Sequence, residues 1–458
     1  MERLEMTQTV DQIRRLLEQG PNDEVHAVLS SLMPPDKASV FEALDAEMQQ
    51  QLLAIIHPAD MADILEQLDY YDAANIAKQL DRATLTQVMD EMAPDEAADI
   101  LGDLSRDLRR RTLEHMTTQE DVRPLLRYPD DSAGGLMTSH YSVFPAEALV
   151  SEVLSGIRSE PARREEIPYV YAIDAARRLV GVTRLADLIR AHPEEPLESI
   201  MNREIVSIRA SEDQEVAARL VNRYDLLAIP VVDDQDRLVG IITADDAMDT
   251  LERETSEDIY RSVGILSFEG QEAERSDLLI KGPVWRIWLV RIPFLVIALI
   301  GGMLAGGVMG IYEEALESIT LLAIFIPVVM GMGGNAGIQS TTAFIRAYAL
   351  GQIDTGRIIQ HIVREFVIGA SMGLSVGVLA GIITTLWQGM PNLGLVVGLS
   401  LAATITLAAV LGFIIPYILI KLGVDPAAGT DPIITTIKDI TGLLIYFFFA
   451  SLFLGHLL

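Results

Sequence analysis

The 458-residue sequence predicts a multi-domain membrane protein. Its parts are an all-α superhelical N-domain, an α/β domain pair, an acidic connecting helix and a five-helix α transmembrane domain. Three observations carry that prediction. The charge is lopsided, with 57 of 65 acidic and 28 of 35 basic residues lying before Trp285. A short motif recurs near the N-terminus at helical spacing, and the last third holds apolar stretches long enough to cross a bilayer. The acidic surplus weighs against a nucleic-acid partner, because it repels phosphate instead of releasing its counterions. It reads as a solubilising surface or as a store of hard oxygen ligands for divalent cations. With no cysteine, disulfides, thiolate metal sites and cysteine nucleophiles are excluded. The N-terminus, MERLEMTQTVDQIRRLLEQG, lacks the apolar core of a signal peptide and is expected to be cytoplasmic.

The N-domain is expected over 1–130. Within 33–116 the chain divides into twelves: HPADMADILEQL (57–68), DYYDAANIAKQL (69–80), DRATLTQVMDEM (81–92), APDEAADILGDL (93–104) and SRDLRRRTLEHM (105–116). Blocks open with Pro, Asp or Ser near a helix start, suited to N-caps and first helical turns, and end on Leu or Met. Short helices stacking their Leu faces into a superhelix are the expected result.

Over 131–255 strands alternate with helices. Two stretches echo each other: LVGVTRLADLI (179–189) and LVGIITADDAM (238–248). LMTSHYSVFP (136–145) likewise parallels IMNREIVSIR (200–209), and IPYVYAID (167–174) parallels IPVVDD (229–234). Two copies of one module follow, about 131–195 and 196–255. The pattern resembles a CBS-domain pair, which implies a pseudo-symmetric α/β regulatory body. The connecting helix and linker, 245–284, begin with the acid-rich DDAMDTLERETSEDIYRSVGIL (245–266).

The membrane domain is expected over 285–458, with spans at 285–310, 319–345, 358–387, 392–420 and 432–457. Arg346, Arg357 and Arg364 surround the second connection, while the third, QGMPN, is uncharged. By the positive-inside rule the N-terminal half is cytoplasmic, and an odd span count puts the C-terminus outside.

Two spans carry chemistry. The fifth holds Lys438 and Asp439 in an otherwise apolar segment. An aspartate at the bilayer centre costs roughly 2.5–3.5 kcal/mol, so it faces protein or water. Lys438 is expected to point about 100° away from Asp439 and need not neutralise it. Thr435, Thr436, Thr441 and Gly442 supply hydroxyls and close backbone approach nearby. The second span reads IPVVMGMGGNAGIQSTT (326–342), with glycines at 331, 333, 334 and 337. They read either as broken helix exposing carbonyls to a cavity or as close helix packing. Asn335 and Gln339 fall on one helix face.

Here P-x-x-x-G-x-x-G-N-x-G-x-Q (Pro327–Gln339) and DPA…TT-x-x-D-x-T-G (Asp425–Gly442) resemble the signatures of the MgtE family of magnesium transporters. The resemblance implies a homodimer in the bacterial inner membrane, with a pore lined by the second and fifth spans. It implies Asp439 as the ion-selecting carboxylate, with Asn335, Gly331, Gly334, Thr435, Thr436 and Gly442 around it. Mg²⁺, which keeps its waters and takes one or two carboxylates, suits such a site. The resemblance further implies regulatory Mg²⁺ that locks a closed state. Its matching positions are Asp63, Asp95 and Asp99 in the N-domain, and Gly135, Glu215, Asp225 and Asp246 in the CBS pair. Asp249, Glu254, Glu257 and Asp258 lie in or near the connecting helix. Some members bind ATP at G-x-x-[ST]-x-x-D. The second copy keeps it as Gly240, Thr243 and Asp246. The first has Gly181 and Asp187 but departs from the pattern with Arg184, Thr183 coming one place early. Asp187 and Thr243 are therefore the ATP candidates.

Three other readings compete. A channel for Co²⁺ or Mn²⁺ would use the same oxygens. An intramembrane hydrolase lacks H-E-x-x-H, and only His361 and His456 follow residue 284. A non-conducting membrane sensor would not need Asp439 and Asn335 within spans. The reading is a magnesium channel, not an enzyme.

Overall fold

The computed structural model describes residues 3–68, 70–159, 169–265, 283–349, 352–353, 355–427 and 430–455. Ile167 and Pro168 of the first repeat's strand, the linker beyond Ile265 and His456 lie outside them. Two compact units divide the chain at Glu254, within one helix.

In the first unit, α1 (Arg3–Gln19) precedes a run of short helices: α2 (Asn22–Leu29), α3 (Pro34–Glu42), α4 (Ala46–Leu53), α5 (Pro58–Gln67), α6 (Tyr70–Gln79), α7 (Arg82–Glu91), α8 (Pro94–Gly102) and α9 (Arg106–Leu113). From α2 to α9 every start falls twelve residues after the last, so the repeat begins one block earlier than the sequence reading placed it. The caps explain the phase. Pro34, Pro58 and Pro94 open their helices, while Asp45, Asp81 and Ser105 accept backbone N–H groups from the first turn. About ten residues make fewer than three turns, enough for one apolar stripe. Leu85, Val88 and Met89 form that stripe in α7, and Ala97, Ala98, Ile100 and Leu101 in α8. Within the run the closest packing pairs helices two apart, α3 on α5, α5 on α7, α6 on α8 and α7 on α9, which winds the run into a superhelix.

After α10 (Gln119–Val122) and α11 (Ala133–Leu136) come two three-stranded sheets. The first holds β1 (Ser142–Pro145), β2 (Tyr169–Ile173) and β3 (Leu179–Arg184); the second holds β4 (Ile208–Arg209), β5 (Ala228–Val232) and β6 (Leu238–Thr243). Both pair parallel then antiparallel, and both slip register one residue from the hairpin, at Ala172/Ile173 and Val231/Val232. The hairpin turns match as well. Asp174 and Asp233 each accept two turn N–H groups and pair with Arg178 and Arg237, while Arg177 and Asp236 take positive φ. Helices α12 (Val150–Ser159), α13 (Leu185–Arg190), α14 (Leu197–Ile200) and α15 (Gln214–Arg223) complete the modules.

The leading segments are exchanged. Thr138, ahead of the first sheet, bridges to Ile241 of the second, and Asn202, ahead of the second, bridges to Val182 of the first. Met137 lies against Gly240 and Met201 against Gly181, where any Cβ would come within 2.5 and 2.1 Å of sulfur. Glycine at both hairpins leaves room for these methionine side chains. Helix α16 (Ala244–Ser262) then runs across the boundary between units.

In the second unit, α17 (Val284–Ile311), a short α18 (Glu313–Ser318), α19 (Leu321–Ala349), α20 (Ile358–Gln388), α21 (Pro391–Lys421) and α22 (Thr430–Leu454) follow. All but α18 are long and apolar enough to span a bilayer, and these five match the expected spans to within a few residues. The glycine-rich stretch of α19 stays α-helical, so the broken-helix reading does not hold; Gly333, Gly334 and Gly337 pack closely on neighbouring helices, whereas Gly331 faces open space. Small residues set the closest approaches. Gly373 and Gly377 of α20 lie so near α21 that an added Cβ would meet the carbonyls of Ala402 and Gly398 at 2.5 and 2.4 Å.

Gly377→Val is expected to force α20 and α21 apart at backbone atoms that cannot rotate away. Overpacking of this kind costs about 1–3 kcal/mol. Thermal unfolding of the detergent-solubilised protein checks it: the midpoint falls by several degrees, while Gly306→Ala, at an open helical position of α17, changes it little.

Candidate functional sites

The first site is a carboxylate cluster in the first unit. Helix α8 opens Pro94-Asp95-Glu96, so its first turn carries two acids, with Asp99 one turn on. Glu66 of α5 accepts the N–H of Ala93 at 2.9 Å and fixes that helix start. Asp95 is buried, bonds Thr138 of the exchanged segment, and keeps Oδ1 without a hydrogen-bond partner. From the second module, Asp246 at the start of α16 accepts from Thr243. These acids sense one another. Burial first, then the neighbouring Asp95, raises Asp99 to about 8 and Asp246 to about 7. Glu96 is pushed well up by burial and by Asp95, Asp99, Asp246 and Glu66. Both Asp99 and Asp246 keep a partly exposed surface, yet protein atoms replace most of their hydration, which is the cost being registered. Arg253 is the cation that acts on Asp99.

The sequence reading named Asp95, Asp99 and Asp246, and the structure brings them together. It missed Glu96, Asp245 and Asp130, which also act on the cluster; adjacency to Asp95 and Asp246 was the available signal for the first two. Among the described residues, no three His, Asp or Glu side chains already converge at metal-binding spacing.

Other expected regulatory residues lie differently. Asp63 is buried with Asp60 around Lys37, whose Nζ donates to them at 2.6 and 2.5 Å. Burial opposes the ammonium, but the two aspartates overcome it and hold its pKa above the ordinary value. Gly135 donates its N–H to Ser132, and a Cβ there would strike the Pro129 carbonyl at 2.3 Å. Glu215 pairs with Arg219, and Asp225 is exposed at positive φ. Glu254 accepts from Gln214 at 3.0 Å. Asp249 is raised by burial, Asp245 and Glu252. Farther along α16, near Asp258, Glu257 pairs with Arg261, which reaches Asp425 at 2.5 Å. Asp425 precedes α22, so within the second unit the connecting helix is tied to the lead-in of the fifth span.

A cavity of about 280 Å³ lies in the domain pair, lined by Tyr169, Thr183, Arg184, Asp187, Asn202 and Glu204 among others. The hydroxyls of Thr183 and Tyr171 are buried beside it without a partner. Thr243, the other ATP candidate, is occupied by Asp246.

The second site is in the membrane unit. Ile434, Lys438, Gly442 and Tyr446 recur every four residues and form the buried face of α22. Asp439 sits at its edge, with its side chain 18% exposed. The expectation that Lys438 points away from Asp439 is wrong. Its Nζ lies 2.7 Å from Asp439 Oδ1 and donates to the Met330 carbonyl at 2.6 Å. A four-carbon stem reaches around a 100° difference between adjacent positions. Gly334 makes room for the ammonium, since a Cβ there would lie 2.8 Å from Nζ. Gly333 and Gly442 both pack on Thr404 of α21, a buried residue that the sequence reading missed because its hydroxyl sits in an ordinary apolar helix pattern. Thr436 is turned toward Gly301 of α17 and donates to its own Pro432 carbonyl, and Thr435 is half-buried. On α19, Gly331, Asn335, Gln339, Thr342 and Arg346 form an uncovered polar stripe.

A sequence model described as a divalent cation transporter, MgtE, matches 326–449, and the MgtE intracellular N domain matches 8–84 and 34–131. A CBS domain matches 197–253. The magnesium transporter MgtE of Thermus thermophilus is 40% identical over 339 residues, 74% of this chain and 73% of that protein. The chain belongs to the MgtE family. It is a membrane transporter and not an enzyme. MgtE of Bacillus subtilis is 39% identical over 73% of this chain and 72% of its own length. A crystal structure of the cytosolic domain of the Mg²⁺ channel MgtE in complex with ATP superposes with a TM-score of 0.50. It is 33% identical and covers 53% of this chain and 99% of that one.

A carboxyl whose pKa rises on folding binds its proton more tightly folded than unfolded. Stability of the first unit therefore falls as pH climbs from about 4, the ordinary carboxylate value, to about 8. In divalent-free solution, tryptic resistance of the first unit within the full-length protein is expected to drop between pH 6 and pH 8.5. Asp99→Asn is expected to flatten that dependence.

Proposed function

We propose that this chain is a Mg²⁺ channel for magnesium uptake, homodimeric, in the bacterial inner membrane, and closed by cytosolic Mg²⁺. The observation that carries the reading is Asp439, a mostly buried carboxylate in an apolar helix packed against α19. Uncovered amides at membrane depth favour a second copy or water over lipid, so the stripe through Asn335 supports a pore between two chains. Gly331, Asn335, Gly334, Thr435, Thr436 and Gly442 would shape that pore, and Asp439 from each chain would hold a hydrated ion loosely enough to release it. Named relatives are magnesium transporters, which favours Mg²⁺ over other divalent cations.

The gate is the carboxylate cluster. Asp95, Asp99 and Asp246, with Glu96, join the N-domain to the second module, and their mutual repulsion is relieved by protons or by a divalent cation. Mg²⁺ bound there selectively stabilises the compact arrangement. Asp63, Gly135, Glu215, Asp225, Asp249, Glu254, Glu257 and Asp258 are assigned to the same regulation with less direct support. ATP is assigned to the cavity at Asp187, where a neighbour's cytosolic domain carrying ATP and two unpartnered hydroxyls support it. The N-terminus is cytoplasmic and the C-terminus outside.

Mg²⁺ uptake into proteoliposomes tests both parts. Asp439→Asn is expected to lower flux at least tenfold, and raised internal Mg²⁺ to suppress flux in wild type but not in the combined Asp95→Asn, Asp99→Asn, Asp246→Asn variant. No wild-type flux would overturn the channel reading. Flux indifferent to internal Mg²⁺ would overturn the gate.

A further inference from the structure

Lys438 is 5% exposed inside a membrane-spanning helix, and its ammonium occupies a small cradle. One wall is Asp439 Oδ1 at 2.7 Å, another the Met330 carbonyl at 2.6 Å. The third is the bare backbone of Gly334, where a Cβ would stand 2.8 Å from Nζ. Gly333 lies along the stem, a Cβ there coming 3.6 Å from Cδ. A carboxylate oxygen and a helix carbonyl are the ligands a hard cation uses. Asp439 Oδ1 makes no hydrogen bond, its approach to the ammonium lying outside hydrogen-bond angles, so charge alone holds this contact.

We propose that Lys438 is a specificity-determining residue, a tethered resident cation that an entering divalent ion must displace from Asp439. The proposal rests on the reading of Asp439 as the ion-selecting carboxylate. A neutral Lys–Asp pair offers little to K⁺, which carries the same charge as the ammonium it would have to replace. A divalent ion carries twice the charge, so even from behind a retained water layer it attracts the carboxylate about as strongly as the ammonium does in contact, and can displace it. The flexible stem lets the ammonium withdraw toward the Met330 carbonyl without unfolding the helix. Monovalent ions are thus excluded by occupancy, and no narrow, rigid ring is required.

The test measures K⁺ and Mg²⁺ flux through the full-length protein in proteoliposomes with divalent-free interiors. Wild type is expected to pass Mg²⁺ and exclude K⁺. Lys438→Met leaves the carboxylate uncompensated, so K⁺ passes until Mg²⁺ blocks it, and half-saturating Mg²⁺ falls about tenfold. Gly334→Ala keeps the charge but pushes the ammonium from its cradle at the end of a flexible chain, and shifts both readouts the same way by less. Should Lys438→Met not fold, Gly334→Ala decides. Unchanged K⁺ exclusion and unchanged half-saturation in the folded variants would overturn the proposal. Asp439→Asn separates the two readings: retained Mg²⁺ flux removes the pore assignment itself, whereas lost flux with silent Lys438 and Gly334 variants removes only the tethered-cation role.

Discussion

Taking a carboxylate out of water costs several kcal/mol unless a compensating charge comes with it, and the molecule meets this cost in three ways. Around Lys37, one ammonium serves Asp60 and Asp63, which leaves a fixed internal strut in the superhelix. Beside Asp439, the ammonium of its own neighbour serves a carboxylate in the membrane. In the cluster of Asp95, Glu96, Asp99 and Asp246 the acids outnumber the nearby cations, and the shortfall appears as raised proton affinity. That shortfall of positive charge is what the proposed Mg²⁺ would make good.

Small residues and an exchanged segment put those acids in register. Gly240 admits Met137, and this lets Thr138 pair with Ile241 while bonding Asp95. One segment therefore touches the N-domain acid and lies on the hairpin that leads into Asp246. In the membrane unit, Gly333, Gly334 and Gly442 do similar work, bringing α19, α21 and α22 together around Lys438 and Thr404.

Much of this was legible in the sequence. The twelve-residue phase followed from Pro, Asp and Ser at helix starts, the duplicated module from its echoing hairpins, and the spans from apolar length. What was hidden depended on side-chain reach and on chain exchange. A 100° offset says where Lys438 leaves the helix but not where four methylenes carry its ammonium. The alternation of apolar residues marks the strands but cannot say that Thr138 crosses to the other sheet. The glycines of α19 were ambiguous because helix breaking and close packing use the same residue, and only Thr404, Ile434 and Lys438, opposite Gly333, Gly334 and Gly337, decide it for those three.

The central claim is that protons and a divalent cation compete for the same buried carboxylates. It is tested most directly by titrating Mg²⁺ into the full-length, weakly buffered protein and counting protons released. With Asp99 near 8 and Asp246 near 7, about one to two protons per chain should leave at pH 7, fewer at pH 9, and fewer in Asp99→Asn. Saturable Mg²⁺ binding with no proton release at pH 7 would contradict the account.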